Sequence, residues 1–202
     1  MMLLPKPLTT IGDAAVLLTR TALYEYHSTP ALLLTFGRIF RSSTALGTYE
    51  LGNARAQAYF FRIVAVVDAY TDAALEAMFR GVVPPSSPAA VRLLESHLLD
   101  ATQRWESRKR SFADHHSLSL GDAANGFPQW SKLDGMIEVR NSIAHGLGSL
   151  TRQQRQHATR TAGRCKQVGV RIEAGEVIVD NPSLVTAGDV AEDFIRWLDQ
   201  KI

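Results

Sequence analysis

The feature that most constrains how this chain can fold is the spacing of its apolar residues between positions 60 and 78. Phe60, Ile63, Val64, Val67, Tyr70, Ala74 and Met78 recur at steps of three and four. That is the repeat of a helix with one buried face, whereas a half-buried strand would alternate. At 3.6 residues per turn the stripe runs for about five turns. A rod of this length cannot bury its own face, so further helices must pack against it. The surrounding run, Ala58 to Tyr70, contains Arg62 and Asp68 and falls short of the roughly 20 apolar residues needed to cross a bilayer. The expectation is a core helix and no membrane partner.

The neighbouring patterns extend the same architecture. Asp13 is expected to cap a helix reaching about Tyr26, with Val16, Leu17, Leu23 and Tyr24 as its apolar stripe. From Pro30 to Gly52 the pattern is undecided: Ala31 to Phe36 suits a strand or a buried helix, and Gly37, Ser42, Ser43 and Gly47 interrupt the remainder of the segment. Gly81 is the expected terminator of the central helix. The breaker run Pro84, Pro85, Ser86, Ser87 and Pro88 comes next, with Ser87 and Pro88 suited to the cap and first turn of another helix. A single long helix is predicted there, apolar at Val91, Leu94, Leu98, Ala101, Trp105 and Phe112, with Arg104, Arg108, Lys109 and Arg110 at its polar end.

His115 to Gly126 reads as a loop, and Pro128 restarts a helix ending near Gly146, with Trp130, Leu133, Ile137 and Ala144 on its buried side. Val170 and Ile172, then Val177 and Val179 across Ala174-Gly175, signal a β-hairpin. After Asn181-Pro182, a last helix is striped by Val190, Phe194, Ile195, Leu198 and Ile202. The predicted fold class is therefore mainly α, a helical bundle with a small C-terminal β-hairpin and a terminal helix. One domain is expected over 1–202: an N-terminal segment 1–50, a helical core 51–148, and a basic segment, hairpin and helix over 149–202.

Composition removes several function classes. With 202 residues, 46% hydrophobic and 21% charged, the chain suits one globular core and lacks the signature of disorder. A net charge of +2 does not by itself mark a nucleic-acid binder. The single cysteine, Cys165, excludes an internal disulfide and a multi-cysteine zinc site and fits a reducing compartment. Met1 to Leu8 has no apolar run behind a basic head, so a cytoplasmic location is expected. No G-x-x-x-x-G-K or G-x-S-x-G motif is present, which leaves ATPase and serine-hydrolase readings without their machinery. His115 and His116 stand without an obvious third ligand and are expected to be solvated, so neither metal nor cofactor is expected. Tyr59, Phe60, Tyr70, Trp105 and Trp130 lie at helical spacing and are expected in the core.

One stretch carries chemistry. Glu138-Val-Arg140-Asn141-Ser-Ile-Ala-His145-Gly146 sets a guanidinium, an amide and an imidazole at the end of a helix. Asn141 and His145 are four apart and share a face, whereas Arg140 and His145 stand about 140° apart around the axis. Spacing alone does not bring those two to one small atom. A second copy packed antiparallel about a twofold axis would make both pairs converge on one cleft.

Arg-Asn-x-x-x-His followed by Gly resembles the R-x4-H motif of the HEPN superfamily. The likeness covers roughly residues 51–202. A long helix with one acid among apolar residues, here Val66-Val67-Asp68-Ala69-Tyr70, precedes the motif, and the hairpin and terminal helix are similar to the RiboL-PSP-HEPN branch. The resemblance implies a homodimeric, metal-independent endoribonuclease of a toxin or anti-phage system, acting on RNA and associated with a cognate antitoxin or defence protein. It assigns Arg140, His145, Asn141 and Asp68 to the site. His145 would exchange a proton with the 2′-hydroxyl or the leaving 5′-oxygen, and Arg140 would present its donor fork to the phosphate. Asn141 would orient substrate or His145, and Asp68 would hold Arg140 or set the histidine tautomer; a purely structural, paired Asp68 is the equal alternative. The products would be a 2′,3′-cyclic phosphate and a 5′-hydroxyl. One departure stands out: Leu147 occupies the place of the tyrosine that partner nucleotidyltransferases modify in related toxins.

Behind the motif, Arg152, Arg155, Arg160, Arg164 and Lys166 run without an intervening acid. They either track an RNA backbone or form a solvated face. The competing functional reading is a catalytically silent module of the same fold that binds RNA or a partner protein.

Overall fold

The computed structural model describes residues 7–28, 41–44, 47–82 and 87–202. Among them are eight helices: α1 (Thr10–His27), α2 (Leu51–Val82), α3 (Pro88–Thr102), α4 (Trp105–His116), α5 (Trp130–Gly146), α6 (Arg152–Gln156), α7 (Ala158–Lys166) and α8 (Asn181–Asp199). Two antiparallel hairpins accompany them, β1 (Arg41–Thr44) with β2 (Gly47–Glu50), and β3 (Arg171–Glu173) with β4 (Glu176–Ile178). The mainly α class with a C-terminal hairpin and terminal helix is what the structure has. The undecided run Ala31–Phe36, with Gly37, lies outside the described residues, as do residues 1–6 and the breakers Pro84, Pro85 and Ser86.

The central stripe does what its spacing requires. Phe60, Ile63, Val64, Val67, Tyr70, Ala74 and Leu75 are buried, and α2 packs against α1, α8 and α5. Phe194, Ile195 and Leu198 of α8 supply the opposing surface. Hydrophobic burial of this kind is the main favourable term available to the fold. No helix among the described residues is long and apolar enough to cross a membrane.

Three expectations are corrected. The cap of α1 is Thr9, whose hydroxyl accepts from the Gly12 amide; Asp13 lies in the first turn. The buried face of α1 is Gly12, Ala15, Val16, Thr19 and Ala22, while Leu17 and Tyr24 are exposed. The helix predicted from Pro88 to beyond Phe112 is two helices. Ser87 and Pro88 start it as expected, but Arg104 is extended at φ −142°, ψ 150° and turns the chain back. His97 of α3 then meets Ser111 of α4 at 3.0 Å. A straight rod would have carried Phe112 away from the core; the break lets Leu94 and Ala101 on one arm and Phe112 on the other all be buried.

Two glycines hold the site in place. Gly148 has φ +84°, and a Cβ there would lie 2.6 Å from Gln57 Oε1 of α2. At Gly135 of α5 a Cβ would lie 2.4 Å from the Arg164 carbonyl oxygen, so only a bare backbone lets α7 come this close. The β3–β4 turn runs through Ala174 and Gly175, both left-handed (φ 50° and 83°), the geometry a two-residue hairpin loop favours.

Candidate functional site

Helix α5 buries Leu133, Met136, Val139 and Ser142 against the core. Asp134, Glu138, Asn141 and His145 recur at steps of four, three and four, so they share one stripe away from that core. The helix ends where Leu147 turns left-handed (φ 51°) and its amide bonds the Ser142 carbonyl, which leaves His145 exposed in the last turn.

Arg140 and His145 border the same cavity, of about 680 Å³, within a single chain. Asn141 and Asp68 border it too. The α3–α4 junction, with Gln103, Arg104 and Trp105, forms another part of its wall, so groups that leave α5 in different directions still meet one space. Arg140 Nη1 donates to Asn141 Oδ1 at 3.2 Å. Its Nη2 lies 3.6 Å from Asp68 Oδ2, and its guanidinium carbon stands 5.7 Å from the Phe61 ring centre.

Asp68 is the strained member of this group. Burial pushes its carboxyl above the ordinary carboxylate range, against the opposing pull of Arg108 and Arg140. Arg108 Nη1 is 3.9 Å away, a distance for charge attraction and not for a hydrogen bond. The Trp105 indole also favours the charged carboxylate, yet among the described residues Asp68 Oδ1, Arg140 Nε and Trp105 Nε1 are buried without a hydrogen bond of regular geometry. Asp134, on the same cavity, is also raised by burial, opposed by Arg164. Two acids raised by burial beside an arginine and an exposed histidine make this cavity the candidate site.

Arg108 is the residue that sequence reasoning missed. Expected at the polar end of its helix, it is instead buried and grips Asp72 through Nε at 2.5 Å and Nη2 at 3.0 Å. A signal existed: Arg108 falls seven residues after Ala101 and four before Phe112, on the apolar stripe and not opposite it. Asp72 likewise follows Asp68 by one turn on α2.

The basic run divides. Arg152 and Arg160 border a second cavity of about 820 Å³, which shares Arg104, Asn141 and His145 with the first, so that one groove results. Arg164 reaches that groove but is consumed, its Nε 3.0 Å from Asp134 and its Nη1 2.6 Å from Glu138. Arg155 donates to the Leu150 carbonyl at 2.5 Å. Neither Arg155 nor Lys166 borders either cavity. The motif end and α6 are tied by Gln154, which caps α6 at Thr151, accepts from Ser142 and donates to Glu138.

A larger cavity, about 850 Å³, lies beside His27, Asn53 and the β3–β4 hairpin. Glu50, Glu173, Glu176 and Asp180 outnumber Arg171 on its wall, a balance that repels a polyanion. The histidines 115 and 116 are not simply solvated: with His97 they surround Phe79, ring centres 4.6–5.4 Å from it. Burial and the neighbouring imidazoles push His116 below the ordinary histidine range. Among the described residues no group of three His, Cys, Asp or Glu side chains fits a metal ion. Cys165 is buried in the core and pushed up to about 12 by burial, which leaves its thiol unreactive. Trp105 and Trp130 are only half-buried and both border the motif cavity.

Comparison with protein-family models, with curated proteins and with solved structures returns no significant match, so the functional reading rests on the chain's own residues.

Proposed function

We propose that this protein is an endoribonuclease that cleaves RNA by attack of the 2′-hydroxyl on the adjacent phosphate. The observation that carries the proposal is the convergence of Arg140, Asn141 and His145 on one cavity, continuous with a groove bordered by Arg104, Arg152 and Arg160. RNA brings its own nucleophile, so the protein has to position it, move protons and stabilise charge. His145, exposed at the helix tip and without a partner among the described residues, takes the proton of the 2′-hydroxyl or returns one to the 5′-oxygen. Proton transfer of this kind is worth about 10² to 10⁴ in rate. Arg140 meets the charge that builds on the phosphate oxygens, and its fork is kept in register by Asn141 on one side and Asp68 on the other. The P–O5′ bond breaks, leaving a 2′,3′-cyclic phosphate and a 5′-hydroxyl. No metal is required by this route. Dimerisation through α5, with a toxin or defence role and a protein antitoxin, completes the proposal.

The test is cleavage of single-stranded RNA by the purified protein in EDTA, with product ends analysed. His145→Ala and Arg140→Ala should each lower the rate at least about 10²-fold, and His145→Ala, at an exposed residue, should leave the thermal midpoint unchanged. Cleavage that depends on added metal or survives both substitutions overturns the assignment. RNA binding without turnover in the unaltered protein would favour the silent binding module, for which the same free cations of the groove provide support.

A further inference from the structure

The break between α3 and α4 has a chemical consequence. Arg104 is exposed and extended, and its side chain makes no hydrogen bond or ion pair among the described residues. The other cations of that wall are engaged: Arg108 is closed on Asp72, and Lys109 is held by Glu106 at 3.2 Å and lies over the Trp130 ring. Arg164, also on the groove, is neutralised by Asp134 and Glu138. Arg104 borders both halves of the groove, as does His145. A continuous helix would have fixed residue 104 by the helical repeat; with the extended backbone it is one of the residues that the two cavities share.

We propose that Arg104 is a substrate-binding residue that holds a backbone phosphate of the RNA next to the one addressed by Arg140 and His145. This rests on the reading of the groove as an RNA site. A free guanidinium on the edge of a polyanion groove gains charge-assisted hydrogen bonds when a phosphate arrives, and gives up only water in return. Arg104 thereby adds a contact from the α3–α4 junction to a groove whose other arginines unpartnered among the described residues, Arg152 and Arg160, come from α6 and α7.

The experiment is a salt series of fluorescence-anisotropy titrations with a short single-stranded RNA whose 2′-oxygens are methylated, so that no 2′-hydroxyl can attack. Arg104→Ala should weaken binding severalfold, equally on two unrelated sequences, and lower the slope of log affinity against log salt by about 0.7. Arg104→Lys should keep the slope, and Arg104→Glu should weaken binding further. Arg110→Ala removes the same charge from the adjoining helix α4, outside the groove, and should leave the slope unchanged. An Arg104→Ala protein with unaltered affinity and slope overturns the proposal, as does one that loses affinity at constant slope or that matches Arg110→Ala. If the unaltered protein does not bind the probe, both the RNA reading and this contact fall. If it binds but leaves unmethylated RNA intact, the cleavage chemistry fails while the slopes still decide Arg104.

Discussion

Two carboxylates reached from α2 show how differently this molecule treats buried charge. Asp199, at the end of α8, is closed on every side: it accepts from the Thr9 amide and hydroxyl, each at 2.6 Å, and from the Tyr70 hydroxyl at 2.9 Å. That carboxylate joins the start of α1 to the end of α8, and burial together with its hydrogen bond pushes the Tyr70 phenol above the ordinary tyrosine range. Asp68 is less enclosed, its side chain 15% exposed, and poorly met, with Arg140 at 3.6 Å, Arg108 at 3.9 Å and one oxygen without a regular hydrogen bond. Complete satisfaction marks the joint that holds the bundle. Incomplete satisfaction sits where a ligand is expected to finish the network, since hydrogen bonds of an empty site often tighten only when substrate binds.

The contrast is sharpest under substitution. Asp199→Ala strips three donors of their acceptor and should cost about 3 kcal/mol, lowering the thermal midpoint by about 6–12 °C. A fall of under about 2 °C would remove the distinction between the two acids. Next in size, Arg108→Met leaves Asp72 and Asp68 without their shared counter-charge and should destabilise by about 2 kcal/mol in chemical denaturation, with Arg108→Lys losing less because a lysine keeps the charge but not the paired donors. Equal stability of Arg108→Met and the unaltered protein would show that the buried guanidinium is dispensable.

Asp68→Asn should move the other way. Removing an unfavourably buried charge raises the midpoint by about 2 °C, while loss of the grip on Arg140 lowers RNA cleavage about 10²-fold. A drop in both would assign Asp68 to structure alone. The smallest effect is its pH dependence. Because the folded carboxyl binds its proton more readily than the unfolded one, its contribution to stability is present at low pH and is lost as pH rises through the raised value. The midpoint advantage of Asp68→Asn should therefore shrink as pH falls from 7 towards the ordinary carboxylate range. Cleavage by the unaltered protein should fall over the same interval, since a neutral Asp68 no longer holds Arg140. An advantage that is constant with pH would show that Asp68 is not the titrating group.

The class of fold was legible because a stripe at steps of three and four can only be a helix face, and the Ala174-Gly175 turn and the Ser87-Pro88 start are written in residues with narrow backbone choices. The site was legible in part. Arg140, Asn141 and His145 stand out because they are close in sequence. Arg108 does not, because a guanidinium is normally placed in water, and only α2, by presenting Asp72 and Asp68, makes its burial tolerable. The basic run looks uniform, yet Arg164 and Arg155 are occupied, Lys166 lies away from the groove, and among the described residues the unpartnered arginines on the groove are Arg152, Arg160 and, from outside the run, Arg104.

By itself, then, the order of residues determined which segments are helical, which faces are apolar and where the chemical groups cluster, since these depend on near neighbours and on the period of the backbone. What only tertiary packing decided is where the chain breaks at Arg104, which charges are cancelled and which are left free, and that Arg140 and His145 border one cavity although they leave the helix about 140° apart. Those outcomes depend on groups brought together from distant parts of the chain, and Coulomb attraction and desolvation act through space without regard to sequence separation.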